Sequence, residues 1–165
     1  MNGLTLKDLL PKFIDSLKEK GRSPATILAY RTDLEQLTSL LVQNSKVSPT
    51  QVIGSDLETF RDTLLAQKYT PKSTSRKLNA VKTFFRYLKQ QNFITSDPSE
   101  LVSHPKIENS LPKFLTQIEY RALRDVSRSD SRIFAIIELV LQTGIRISEV
   151  ASLKTKNLDG DSLTI

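Results

Sequence analysis

Gln142-Thr143-Gly144-Ile145-Arg146-Ile147-Ser148-Glu149 decides the reading of this chain, at the end of an apolar run that begins near Ile133. A glycine after a helix-length apolar segment is the usual left-handed stop, because it lacks the Cβ that would clash there. The chain is expected to turn at Gly144. Ser148 is then expected to cap a helix from Glu149 to Leu153, whose first-turn carboxylate suits the positive end of the helix dipole. Arg146 falls in the short link between two helices. A guanidinium presents a rigid fork of N–H donors that matches two phosphate oxygens, and fixed positive charge at a developing phosphorane lowers the barrier to phosphoryl transfer.

The longer run L-x-T-G-x-R-x-S-E-x-x-x-L, Leu141 to Leu153, resembles the first arginine motif of the tyrosine recombinases, the phage-integrase family of site-specific DNA recombinases. That resemblance implies that Arg146 grips the scissile phosphate and stabilises its transition state, while Glu149 orients active-site partners. It also implies the family chemistry: a tyrosine hydroxyl attacks one DNA phosphate, giving a 3′-phosphotyrosyl link and a free 5′-hydroxyl, with no metal and no nucleotide cofactor. In family order the hairpin lysine, the H-x-x-R motif, the late histidine or tryptophan and the tyrosine nucleophile all follow the arginine motif. Tyr30, Tyr69, Tyr87 and Tyr120 all precede Arg146, so none is assigned as nucleophile. These 165 residues are expected to bind DNA without cutting it.

Composition narrows the classes. The chain has no cysteine and a single histidine, His104, which leaves no thiolate or histidine cluster for a metal. No stretch reads as a signal peptide or a membrane span, so a soluble cytoplasmic protein with no membrane partner is expected, and the resemblance implies a prokaryotic cell, phage or mobile element as its setting. The net charge is +6, and its distribution matters more than its size. Between Asp62 and Asp97 there is no acidic residue, while Lys68, Lys72, Arg76, Lys77, Lys82, Arg86 and Lys89 all fall there. One segment supplies the positive field.

Leu6, Leu9, Leu10, Phe13, Ile14 and Leu17 recur at helical spacing behind Thr5 as cap, predicting a first helix that ends around Gly21. Ser23-Pro24 opens a second, in which Ile27, Tyr30, Leu34, Leu37 and Leu41 form one stripe, with Tyr30 read as a core aromatic. Gln43 to Ser48 reads as a loop and Ser48-Pro49 as a short helical turn. Ser55 is the expected cap of a third helix, ended by Tyr69, Pro71 and Lys72. The fourth runs from about Ser73 to Gln91. Its core stripe is Leu78, Val81, Phe84, Phe85 and Leu88, and the opposite face carries Lys72, Arg76, Asn79, Thr83, Arg86 and Gln90. That face combines cations, amides and a hydroxyl without an acid, the side-chain types that contact phosphates and base edges.

Phe93 and Ile94 are expected to close this domain. Prolines at 105 and 112 mark a linker in which His104 has no partner in sequence. Beyond it, Thr116 and Glu119 have capping-box spacing, Ser131 is the expected cap of a buried helix from Ile133 to Gln142, and Asp159-Gly160 marks a turn in a short strand region.

This layout extends the resemblance over the whole chain. It implies a mainly α fold: a four-helix SAM-like core-binding domain over residues 1–103, a linker over 104–113, and over 114–165 the helical beginning of an integrase-type catalytic domain with a short strand or hairpin at its end. Ser23 to Leu41 and Ser73 to Leu88 resemble the two family helices that lie against the major groove. The implied DNA-binding set is Lys72, Ser73, Arg76, Lys77, Asn79, Lys82, Thr83 and Arg86, joined by Arg31 from the second helix. The implied partners are double-stranded DNA at a recombination site and other recombinase protomers. The residues also admit a stand-alone DNA-binding regulator or competitor at such a site, or a helical protein-interaction domain with an acidic partner; salt dependence of binding separates the last from the others.

Overall fold

Helical spacing of leucine and phenylalanine builds the first part of the protein, and caps set where each helix begins. A computed structural model describes residues 4–108, 114–160 and 162–164. The chain divides into two units, Met1–Asn109 and Ser110–Ile165. In the first, α1 (Leu6–Glu19) starts at a reciprocal cap: Thr5 Oγ1 accepts from the Asp8 N–H at 3.2 Å, and the Asp8 carboxylate accepts from the Thr5 N–H at 2.9 Å. Ser23 caps α2 (Pro24–Gln43) by accepting from the Thr26 N–H at 3.2 Å. A short 3-10 turn, Pro49–Gln51, precedes α3 (Gly54–Ala66), and α4 spans Pro71–Gln90.

Two of these starts differ from the sequence expectation. Ser55 lies inside α3, whose first turn is closed instead by the Asp56 carboxylate accepting from the Ile53 N–H at 2.9 Å. Helix α4 begins at Pro71, with Thr70 as its cap. Pro71 is therefore the first residue of the fourth helix and not the terminator of the third; a proline is tolerated there because its missing N–H had no intrahelical partner.

The apolar stripes of α1, α2, α3 and α4 converge on one core. Phe13 is its hub: its ring centroid lies 5.3 Å from Phe84 in edge contact, 5.4 Å from Tyr87 and 6.1 Å from Tyr30. Leu34, Leu57, Phe85 and Leu88 are fully enclosed, each worth roughly 1.5–3 kcal/mol of transfer free energy. Ile94 and Val102 are buried beyond α4, so the chain after the helix folds back onto the same core.

The second unit holds α5 (Gln117–Ser127), α6 (Ser131–Thr143), α7 (Ile147–Ser152) and the antiparallel pair β1 (Leu158–Asp159) and β2 (Ser162–Leu163). Thr116 and Glu119 form the expected capping box. Asp130, not Ser131, caps α6: its Oδ1 accepts from the N–H groups of Arg132 and Ile133 at 2.9 and 3.0 Å, leaving Ser131 as the first helical residue. The expectation that α6 is buried also fails. None of its side chains is fully enclosed; within its unit it packs against α5 and α7. Arg124 and Glu138 tie α5 to α6, with Nη2 donating to Oε2 at 2.9 Å. No helix among the described residues is long and apolar enough to cross a membrane.

Candidate nucleic-acid interface

The solvent strip of α4 carries Lys72, Arg76, Asn79, Arg86 and Gln90, all exposed, with Thr83 half-buried among them and its hydroxyl donating to the Asn79 carbonyl at 2.7 Å. Ser73 is half-buried in the first turn, where its N–H and hydroxyl meet Thr70. The core stripe on the other side of the helix holds this strip at a fixed orientation. Long cationic side chains on a rigid helix can reach phosphates spaced along a duplex.

Neighbouring elements bring acids to both edges of the strip. From α2, Asp33 reaches Arg76 and Lys77, its carboxylate accepting from Arg76 Nη1 at 2.7 Å, Arg76 Nη2 at 3.0 Å and Lys77 Nζ at 2.8 Å. Lys77 Nζ also donates to Gln36 Oε1 at 2.9 Å and lies 5.1 Å from the centroid of the Tyr69 ring. The Lys77 side chain is only 8% exposed and that of Asp33 2%, while that of Arg76 remains 55% exposed. Lys77, placed by the resemblance in the DNA-binding set, is a buried counterion linking α4 to α2. Arg31 is exposed but sits on the far side of α2 from Asp33, at a groove that it lines with Lys7, Pro11 and Glu35, apart from the α4 set.

The other edge of the strip is lined by the segment after α4. Lys82, Arg86 and Lys89 border an open depression of about 430 Å³ with Asp97 and Glu100, and Lys89 pairs with Glu100 at 2.7 Å. Farther along, Arg61 Nη1 donates to the Ser103 hydroxyl at 3.0 Å, and His104 Nδ1 lies 2.9 Å from the Ser75 hydroxyl. His104 is exposed, as expected of a surface linker residue, and this contact ties it to α4. Partial burial of its ring, and then the charge of Lys82, lower its pKa from the ordinary 6.5. Residues 104–108 have no regular secondary structure, and the remainder of the expected linker, 109–113, lies outside the described residues.

In the second unit Gly144 adopts φ 69° and ψ 13°, the left-handed stop expected of it. Arg146, not Ser148, is the N-cap of α7. Glu149 closes that first turn from within, one carboxylate oxygen accepting from the Arg146 N–H at 2.8 Å and the other from Arg146 Nη1 at 2.7 Å. These bonds, the backbone one first, hold the Glu149 carboxyl below its ordinary 4.5. The Arg146 side chain is 81% exposed, so a guanidinium steered by one contact presents its remaining donors to solvent.

Residues 10–92, which run from α1 to just past α4, match the family described as the N-terminal SAM-like domain of phage integrase. The chain belongs to the phage-integrase family of tyrosine recombinases. Among its recombinase relatives are tyrosine recombinase XerC of Herpetosiphon aurantiacus, 34% identical over 146 residues, and tyrosine recombinase XerD of Pasteurella multocida, 35% identical over 145 residues. Each match covers 86% of this chain and 48% of the relative, so the chain spans about half the length of those proteins. A lambda integrase tetramer solved on a Holliday junction shares the fold, with a TM-score of 0.81 at 17% identity, over 98% of this chain and 47% of that one.

The sequence reading found the basic helix and the arginine turn but missed the groups that hold them. Asp33, Asp97 and Glu100 come from outside the acid-free window. Asp33 carried a faint signal, a carboxylate one residue before Leu34 on the core stripe of an amphipathic helix. Ser75 carried none.

Proposed function

We propose that this chain binds duplex DNA through the solvent strip of α4 as part of site-specific DNA recombination or integration, and that Arg146, oriented by Glu149, is its contact to the phosphate that undergoes exchange. The observation that carries this reading is the strip itself: Lys72, Lys82 and Arg86 have no ion-pair partner within 4.0 Å among the described residues and stand on a helix anchored by Phe84, Phe85 and Leu88. Phosphates would take the place of the missing partners, releasing counterions from the DNA. The family and the integrase solved on a Holliday junction support DNA as the partner and further recombinase protomers as neighbours on it.

Within this reading the chain grips without cutting. Tyr30 and Tyr87 pack beside Phe13, Tyr69 lies against Lys77, and the Tyr120 hydroxyl lies 3.5 Å from Gln142 Nε2. Of the four, only Tyr120 shares a unit with Arg146, and its hydroxyl faces Gln142. A tyrosine attack needs the hydroxyl in line with a phosphate held by the arginine.

The experiment is a salt titration of duplex binding for the wild-type chain and for a Lys82→Glu, Arg86→Glu variant. Affinity should fall for the variant, and the slope of log K against log salt should become shallower by roughly 0.9 for each phosphate contact removed. Unchanged affinity and slope would sink the interface, and a shallow wild-type slope with equal binding to other polyanions would favour an acidic protein partner instead. Incubation with nicked duplex, followed by denaturing electrophoresis, tests the second part: a covalent protein–DNA adduct would overturn binding without cutting.

A further inference from the structure

Among the described residues, the Asp33 cluster is the one place where a buried charge from outside the basic helix touches its solvent strip. We infer that Asp33 is a positioning residue for DNA binding: its carboxylate holds the Arg76 guanidinium at two points and presents the outward donors of that guanidinium to a backbone phosphate. The inference rests on the α4 strip being the DNA face, and it adds a role that a count of charges would assign with the opposite sign. By charge alone, an acid beside an interface with DNA weakens binding.

The geometry argues for the reverse. Asp33 accepts from both terminal nitrogens of Arg76, at 2.7 and 3.0 Å, so the plane of the guanidinium is fixed relative to α2 and α4. An end-on pair of this kind leaves Nε–H and one N–H on each terminal nitrogen unused. With 55% of the Arg76 side chain exposed, those donors can reach a ligand. An unrestrained arginine on a helix surface loses rotamer freedom when it binds, whereas Arg76 has already lost it on folding, so the cost at the moment of DNA contact is smaller. Lys77 makes the arrangement possible. Its ammonium, 2.8 Å from Asp33 Oδ1, leaves a net positive charge on the cluster of three, so the carboxylate can be buried without cancelling Arg76.

The test is a binding cycle with the whole chain and a fluorescent mixed-sequence DNA duplex at fixed salt. Lys77→Met is the reference, because it keeps the Asp33–Arg76 bonds and removes the buried ammonium. Adding Asp33→Asn to that reference raises the net charge by one and releases Arg76. Binding should nevertheless weaken, by about fivefold, since the loss is in pre-ordering and not in charge. Equal or tighter binding overturns the inference.

Repeating the Asp33→Asn step in an Arg76→Ala background separates positioning from folding. There it should have no weakening effect, and a loss as large as with Arg76 present would show that Asp33 acts on the helix pair and not through the arginine. If Arg76→Ala by itself leaves binding unchanged, Arg76 is outside the interface and the inference fails, while the α4 reading still stands or falls on Lys82 and Arg86. Should the double substitution unfold the chain, Arg76→Lys reads the same point without touching the buried pair. It keeps the charge and loses the two-point hold, so weaker binding supports positioning and unchanged binding overturns it.

Discussion

Glu149 reaches back across one helical turn to Arg146, with one carboxylate oxygen 2.8 Å from its backbone nitrogen and the other 2.7 Å from its guanidinium. A single side chain thus fixes both where α7 begins and where the exposed arginine points. The two jobs share one protonation state.

That coupling has a pH signature. Both bonds favour the ionised carboxylate, so the Glu149 pKa lies below 4.5 in the folded chain. A group with a depressed folded pKa contributes stability above its unfolded value, and the contribution is lost as pH falls through the folded one. Carbon-detected NMR titration of the Glu149 carboxyl should give a midpoint below 4.5, with the amide signals of Arg146 and α7 shifting over the same range. A midpoint at or above that value would remove the cap.

His104, the only histidine, gives one unambiguous imidazole signal. Its pKa is lowered from 6.5, so it favours the folded state while neutral; that stability is present above pH 6.5 and is lost as pH falls toward the folded value. Proton NMR should place its midpoint below 6.5 in the free chain and move it upward when duplex DNA is added, because phosphates at Lys82 would offset the charge that helps depress it. No shift on saturation with DNA would count against phosphate contact at that end of the strip.

Removing Asp33 strands the Lys77 ammonium in the core. Asp33→Ala should therefore cost about 3–5 kcal/mol in urea denaturation, the range for breaking a buried pair from one side. Lys77→Met on top of it should recover most of the loss, since no unpaired charge is then left in the buried site. Additive losses would mean that the pair does not interact as the distances require.

Thr74 is fully buried in α4 and, among the described residues, its hydroxyl is the buried side-chain polar group without a partner. Valine has the same shape and no hydroxyl to desolvate. Thr74→Val should raise stability by about 1 kcal/mol in thermal denaturation. A loss of that size would point to a water bonded to the hydroxyl in solution.

The sequence made the helices legible wherever a local rule sets them. Thr5, Ser23, Thr116 and Gly144 occupy the expected terminal positions because caps and left-handed stops depend on residues within one turn. Where two neighbours compete for the same job, the local rule chose wrongly: Asp130 displaced Ser131, and Arg146 displaced Ser148. Pro71 read as a stop because a proline can end one helix or begin the next.

The site was less legible, because its structure depends on distant partners. The acid-free window from Asp62 to Asp97 is a true property of the sequence, yet Asp33 pairs with Arg76 and Lys77 from outside it. His104 acquires its partner from Ser75 in the same way. Helical periodicity tells which face a residue shares and is silent on which acid another helix will set beside it. Nor could the apolar content of α6 show how much of its surface the other elements would cover, and its side chains remain partly exposed.

The cluster at Asp33 also constrains how this sequence can drift over generations. A lineage that loses the carboxylate first must pass through a form with an uncompensated ammonium inside the core, and one that loses Lys77 first still has a carboxylate satisfied by Arg76. The order of substitutions is therefore not free: exchange at position 77 opens the route to exchange at 33, and the reverse order is barred to a marginally stable protein. Along that route position 76 stays fixed while Asp33 remains, because Arg76 is then the only cation on the buried carboxylate.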